Sequence, residues 1–271
     1  MDSEQHDKED KGQRAVQSIE VGGRLLLALA ASRLPMSLKD LAAEAGLSAS
    51  RAHPYLVSFG RLRLIEQDAT SGHYALGPAA LQLGLTCLVQ LDPLKVALPI
   101  AEQLANSSGL AVALAVWGNF GPTVVRMIDA RQPLHVSMRA GTVMSILGTA
   151  TGRAFAAWLP RHQLEQAMGA ALGDPPGAAP ARSLAADDAE LREIVAEMRA
   201  HGVCRAAGRP MPGVNAFSAA ALDHEGVPAI VITALGHQDQ VSADWDSPTA
   251  LAVRDAAERI AHGLGAHPLR R

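Results

Sequence analysis

Cysteine is scarce: the 271 residues hold two, Cys87 and Cys204, far apart and outside any Cys-x-x-Cys spacing. A disulfide framework and a zinc site therefore find no basis, and the chain reads as one suited to a reducing compartment, the cytoplasm. Aromatic residues make up 3% of the chain, so the cores implied by its 48% hydrophobic content must be packed from Ala, Leu and Val. No apolar run approaches the roughly 18 residues of a membrane span, and Met1 to Gly12 is polar and charged, unlike a signal peptide. The ten histidines form no His-Glu-x-x-His pattern, and Gly-x-Ser-x-Gly and Gly-x-x-x-x-Gly-Lys-Ser/Thr are both missing. Metal catalysis, a nucleophile elbow and a phosphate-cradling loop are left without candidates, and no cofactor or metal is implied.

What is present begins at Ser37. Asp40 follows three residues later, a capping-box spacing that opens a short helix from Leu38 to Ala45. Gly46 suits a left-handed C-cap, and Ser48 or Ser50 can cap a second helix running to about Leu64. In that helix Ala52, Leu56 and Phe59 form the buried stripe, which leaves Ser50, Arg51 and His53 on the open face. Leu64 to Gln67 and His73 to Leu76 then flank a Gly-ending turn as two short strands. Helix, turn, helix and hairpin in this order make a winged helix-turn-helix, in which the second helix reads DNA bases.

The net charge of -3 hides an asymmetry. Residues 11 to 64 hold Lys11, Arg14, Arg24, Arg33, Lys39, Arg51, Arg61 and Arg63 against only Glu20, Asp40 and Glu44. A basic module thus sits on an acidic remainder, as a DNA-binding domain would. The expected organisation is a disordered arm over 1–14, the DNA-binding domain over 15–78, a linker helix over 79–92 and a second domain over 93–267. Leu81, Leu85 and Leu88 stripe the linker helix, either for packing or for a dimer contact. In the second domain, helix Pro93 to Ser107 precedes strands Ala111 to Trp117 and Thr123 to Asp129. Helices at Gly152 to Leu159, Pro160 to Leu172 and Asp187 to His201 follow, then strands Asn215 to Leu222 and Ala229 to Leu235 and a final helix, Ser247 to Leu264. Adjacent strands with helices around them predict an α+β fold with an antiparallel sheet.

The segment Gly148 to Gly152 stands before an Ala-rich helix with Thr149 or Thr151 as its cap. Unpaired N–H groups there would attract an anion, so Thr149, Ala150, Thr151 and Gly152 are candidates to hold a ligand carboxylate. Met144, Ile146, Leu147 and Trp117 supply an apolar wall.

The runs Val16–Glu20, Leu38–Ala42, Gly46–Ser48 and Gly72–Pro78 together resemble the DNA-binding domain of the isocitrate-lyase-regulator (IclR) family of bacterial transcription regulators. Gly148-Thr149-Ala150-Thr151-Gly152-Arg153-Ala154-Phe155 and Pro212-Gly213-Val214-Asn215-Ala216 resemble that family's effector-domain signatures. The resemblance spans roughly Val16 to Leu264. It implies a GAF-like effector domain whose ligand, a small aromatic or short aliphatic acid, alters affinity for double-stranded operator DNA. It also implies a homodimer or homotetramer, with no membrane role, and adds Arg209, Asn215 and Thr233 as effector contacts. For DNA it points to Lys39, Ser48, Ser50, Arg51, His53, Arg61 and His73. Two positions depart from the pattern. Pro54 replaces a basic residue in the reading helix and is expected to shift or kink its first turn, and His73 stands where the wing often carries Arg. Two other classes stay open: an enzyme domain on a DNA anchor using His135, Asp129 or Asp223, and a ligand-independent DNA binder.

Overall fold

A computed structural model describes residues 16–32, 34–131, 138–171 and 188–266. The proposed arm, His135 and the loop from Gly173 to Arg182 lie outside these residues. The chain forms two units, residues 1–91 and 92–271.

The first unit contains α1 (Gln17–Ala31), α2 (Leu38–Glu44), α3 (Ala49–Arg61), β1 (Ile65–Gln67), β2 (Tyr74–Leu76) and α4 (Pro78–Gln90). Ser37 Oγ accepts the Asp40 N–H at 3.2 Å and donates to the Asp40 carboxylate at 2.7 Å, so the acid closes the cap through the hydroxyl rather than through a backbone N–H. Gly46, at φ 67°, ends α2. The Leu47 N–H then reaches the Ala42 carbonyl at 2.8 Å, the six-to-one bond of a Schellman motif. Ser48 occupies the N-cap of α3 without a capping bond; its hydroxyl meets that of Ser50 at 3.2 Å instead. Pro54 lies inside α3, which runs on as one helix through it.

The helix ends at Arg61, short of the expected Leu64, because Arg63 takes the left-handed conformation at φ 58°. Arg63 is the one non-glycine residue with positive φ among those described. It completes a second Schellman motif, with the Leu64 N–H on the Phe59 carbonyl at 3.0 Å. Its own carbonyl accepts from Ala79 of α4 at 3.0 Å, while the Gly77 N–H reaches the Leu64 carbonyl at 2.8 Å. A Cβ on Gly77 would stand 2.5 Å from the Arg63 carbonyl oxygen, so this join requires glycine. Leu25, Leu29, Leu41, Ala52, Leu56, Ile65 and Tyr74 form the core of the unit. The wing turn is organised by Asp68, whose Oδ1 accepts from the Ser71 N–H, the Ser71 hydroxyl and the Thr70 N–H. Those bonds, Ser71's first, hold its carboxyl below the ordinary value. α4 buries none of its residues within the chain, and Leu81, Leu83, Leu85, Leu88 and Val89 are exposed.

The second unit runs α5 (Pro93–Ser108), β3 (Ala111–Gly118), β4 (Gly121–Ile128), α6 (Ala150–Ala156), α7 (Arg161–Ala171), α8 (Asp188–His201), β5 (Cys204–Ala207), β6 (Val214–Leu222), β7 (Pro228–His237) and α9 (Pro248–Gly263). Its antiparallel sheet has the order β4-β3-β7-β6-β5, so the expected α+β class holds. β5 was not expected: four residues that include an arginine and two alanines give little strand signal. β7 is buried almost throughout, which requires cover on both faces of the sheet. Val231 joins Ala154 and Phe155 of α6 in one cluster. By strand alternation, its neighbours Ile230 and Ile232 point the other way, toward the side where α5 and α9 pack.

Charge enters the α6 side of this core. Arg153 Nη2 meets Glu197 at 2.9 Å and Nη1 meets Glu190 at 3.6 Å, fastening α6 to α8. Burial pushes the adjacent Cys204 thiol up to about 12, Glu197 adds to the shift and Arg153 opposes it.

Two outcomes follow. In a Cys87→Ser variant, native Cys204 will resist a thiolate-directed reagent at about pH 8 and react once the protein is denatured, because only thiolate attacks; rapid native reaction would contradict its burial. Arg63→Gly will raise the denaturation midpoint of the first unit, through a gain of about 1 kcal/mol in unfolding free energy, the typical cost of a left-handed non-glycine residue. A lowered midpoint would mean that the arginine side chain contributes more than its backbone costs.

Candidate functional site

In the first unit, the candidate DNA residues lie where the burial of α3 leaves them. Ala52 and Leu56 are fully buried and Phe59 partly so, while Ser50, Arg51, His53, Pro54, Val57 and Arg61 are exposed. Lys39, on α2, and His73, at the end of the wing turn, are exposed as well. Among the described residues the side chains of Lys39, Arg51, Arg61 and Arg63 make no ion pair or hydrogen bond, and α3 contains no acid. Unpaired cations beside a reading helix are what phosphate contacts require. Ser48 and Ser50 bond one another, and Ser58, which the sequence reading passed over, donates to the Pro54 carbonyl at 3.0 Å.

In the second unit, the start of α6 is built by Thr149. Its Oγ1 accepts the Gly152 N–H at 3.0 Å and donates to the Ser145 carbonyl at 2.7 Å. A Cβ on Gly152 would lie 2.1 Å from the Ser145 oxygen and 2.3 Å from the Ile146 oxygen. In the segment Thr149 to Gly152, read from the sequence as an anion cradle, the Gly152 N–H is thus taken by the Thr149 cap, and Gly152 is there because backbone passes over it. Ala150, at the first position of α6, is buried.

Thr151 instead turns into the sheet. Its hydroxyl meets that of Thr233 on β7 at 2.8 Å, and Thr233 meets Ser218 on β6 at 2.7 Å; all three residues are buried. These two contacts use two of three hydroxyl hydrogens, and no further acceptor is in place among the described residues. Ser218 escaped sequence reasoning, since one serine in Phe-Ser-Ala-Ala-Ala looks like filler; its pairing opposite Thr233 is the signal. Near this chain, Trp117 packs against Phe155 with centroids 5.5 Å apart, and Ile146 and Leu147 belong to the same cluster. Met144 is held to the β4 edge by its N–H on the Pro122 carbonyl at 2.7 Å.

Asn215 and Arg209 do not join this group. Asn215 pairs with Gly236 and Ser218 with Thr233 in an unbroken register, so three steps along β6 put Asn215 on the opposite face from the hydroxyl chain. Both ends of its amide are engaged: Oδ1 accepts from the Gly208 N–H at 3.1 Å and Nδ2 donates to the Val241 carbonyl at 2.7 Å. Arg209 is exposed in the following turn. Asp223 is occupied as a turn former, accepting from the Glu225 and Val227 N–H groups. Among the described residues no cluster of three or more His, Cys, Asp or Glu could hold a metal, and no single helix is long and apolar enough to cross a membrane.

Comparison with known proteins accounts for both units. The IclR helix-turn-helix domain matches residues 18–69, and the C-terminal domain of bacterial IclR transcriptional regulators matches residues 85–262. The glycerol operon regulatory protein of Streptomyces coelicolor is 28% identical over 93% of this chain and 98% of its own length. The crystal structure of Pseudomonas aeruginosa HmgR superposes with a TM-score of 0.82 at 34% identity, covering 93% of this chain and 99% of that one. An IclR homologue from Microbacterium hydrocarbonoxydans, solved with 4-hydroxybenzoate, shares the fold at a TM-score of 0.50 and 19% identity over 91% of this chain and 98% of its own. With its basic winged helix-turn-helix and helix-covered antiparallel sheet, the chain belongs to the IclR family and is a DNA-binding transcriptional regulator.

Proposed function

We propose that a small organic acid, aromatic or short aliphatic, sets the operator affinity of this regulator by binding against the Thr151–Thr233–Ser218 chain. The observation that carries this reading is the hydroxyl hydrogen left over in that buried chain. A carboxylate oxygen is a strong acceptor for it, and the neighbouring Trp117–Phe155 pair supplies apolar surface for a ring. Arg153, the charged residue of α6, is already committed to Glu197. Recognition at this chain is therefore by neutral hydroxyl donors. The 4-hydroxybenzoate held by the Microbacterium hydrocarbonoxydans relative makes that acid the first to try. Coupling needs only that the ligand prefer one arrangement of the protein.

The protein works as a homodimer or a larger homo-oligomer on a pseudo-palindromic operator in the cytoplasm. The support is α4, whose leucines and Val89 are exposed, with nothing among the described residues to cover them.

Two measurements test these readings. Fluorescence anisotropy on the DNA upstream of the gene, against scrambled DNA and across a salt series, will show preferential binding that weakens steeply with salt. Adding 4-hydroxybenzoate will shift that affinity, and Thr233→Val will weaken the response about tenfold while leaving ligand-free DNA binding within about twofold. An undiminished response would place the ligand elsewhere. The double substitution Leu81→Lys and Leu88→Lys will convert the oligomer to monomer in sedimentation and reduce operator binding; an unchanged sedimentation coefficient would remove α4 from the interface.

A further inference from the structure

The outer line of α3 can be drawn from its buried one. At 100° per residue, Ala52, Leu56 and Phe59 define the side turned into the unit, and the side opposite is Ser50, Pro54, Val57 and Arg61, at i, i+4, i+7 and i+11. Arg51, His53 and Ser58 flank this line. A recognition helix lies in the major groove with its N-terminal residues on base edges, and this outward line carries the same side of the helix further along the groove. Pro54 and Val57 occupy the middle, and neither side chain carries a polar atom. Val57 is 42% exposed on a helix that carries two arginines and two serines. The polar groups that could reach inward past them are engaged: Ser50 with Ser48, and Ser58 with the Pro54 carbonyl.

An apolar pair pressed on a base edge excludes water from whatever it covers. Over guanine O6 and N7 or the cytosine amino group, it would strand donors or acceptors without partners. The apolar group that a standard base pair offers in the major groove is the C5-methyl of thymine. We infer that Val57, with Pro54 beside it, is a specificity-determining residue that reads a thymine methyl in the operator, while Arg51, His53 and Arg61 hold the flanking edges and phosphates. The inference rests on the DNA-binding assignment above.

The test replaces thymine with uracil, which removes the methyl and keeps the pairing. Duplexes are first enriched from a randomised pool by the wild-type protein; the selected duplex is then prepared in thymine and uracil forms and titrated with wild type and with Val57→Ala. Wild type will bind the thymine form about fourfold more tightly for each methyl covered, the value of one buried methylene-sized group. Val57→Ala will bring the ratio close to one while binding the uracil form as wild type does. Equal wild-type affinity for both forms overturns the inference, and so does a Val57→Ala protein that keeps the full thymine preference. If no sequence is enriched at all, the DNA-binding assignment falls and this inference with it.

Discussion

The second unit depends on backbone lying against backbone at Gly152. The carbonyls of Ser145 and Ile146 pass so close that any side chain at this position would occupy the same space. That approach fixes where α6 begins, and Thr149 locks it with bonds in both directions. With the start of α6 fixed, Thr151 falls opposite Thr233, Phe155 opposite Trp117, and Arg153 opposite Glu197 on α8. Polar chain, aromatic pair and ion pair are thus three readouts of one short helix held in register. The ion pair is not free of tension. Arg153 Nε and Glu197 Oε2 are buried without partners among the described residues, so α6 and α8 are held by a contact with unused bonding capacity.

Much of this was legible in the sequence where local chemistry decides. Ser37, Asp40 and Gly46 announce α2 and its end, because capping depends on residues three or four apart. The Gly148 to Gly152 segment was rightly seen as the entry to a helix. Its role was harder to see, since a glycine that invites an anion and one that admits a neighbouring carbonyl look the same in one dimension. The hydroxyl chain joins residues up to 82 positions apart, and its member Ser218 has no meaning until β6 pairs with β7. Asn215 and Thr233 show the converse: both resemble family contact positions, yet the parity of the strands separates them by the thickness of the sheet. Arg63 is another limit, because its left-handed backbone is a place where sequence rules call for glycine.

Exposure in the first unit has two kinds of meaning. On α3, exposed cations without partners await an oppositely charged surface, and on α4, exposed leucines await an apolar one. The first interaction weakens with salt and the second does not. Occupancy of DNA and the self-association proposed for α4 therefore respond differently to ionic strength.

The join at Gly77 gives the first unit a mechanical character. α3 ends and α4 begins within a span pinned by the Leu64 and Arg63 carbonyls, so little slack remains between them. α3 is about 20 Å long, and a tilt of ~6° applied at its pinned end sweeps the far end, where Ser50 and Arg51 lie, through ~2 Å, enough to break a hydrogen bond to a base. The glycine junction makes α3 a lever with its fulcrum at the linker helix. Under the regulation proposed above, a small twist of α4 would arrive enlarged at the sequence-reading end of α3.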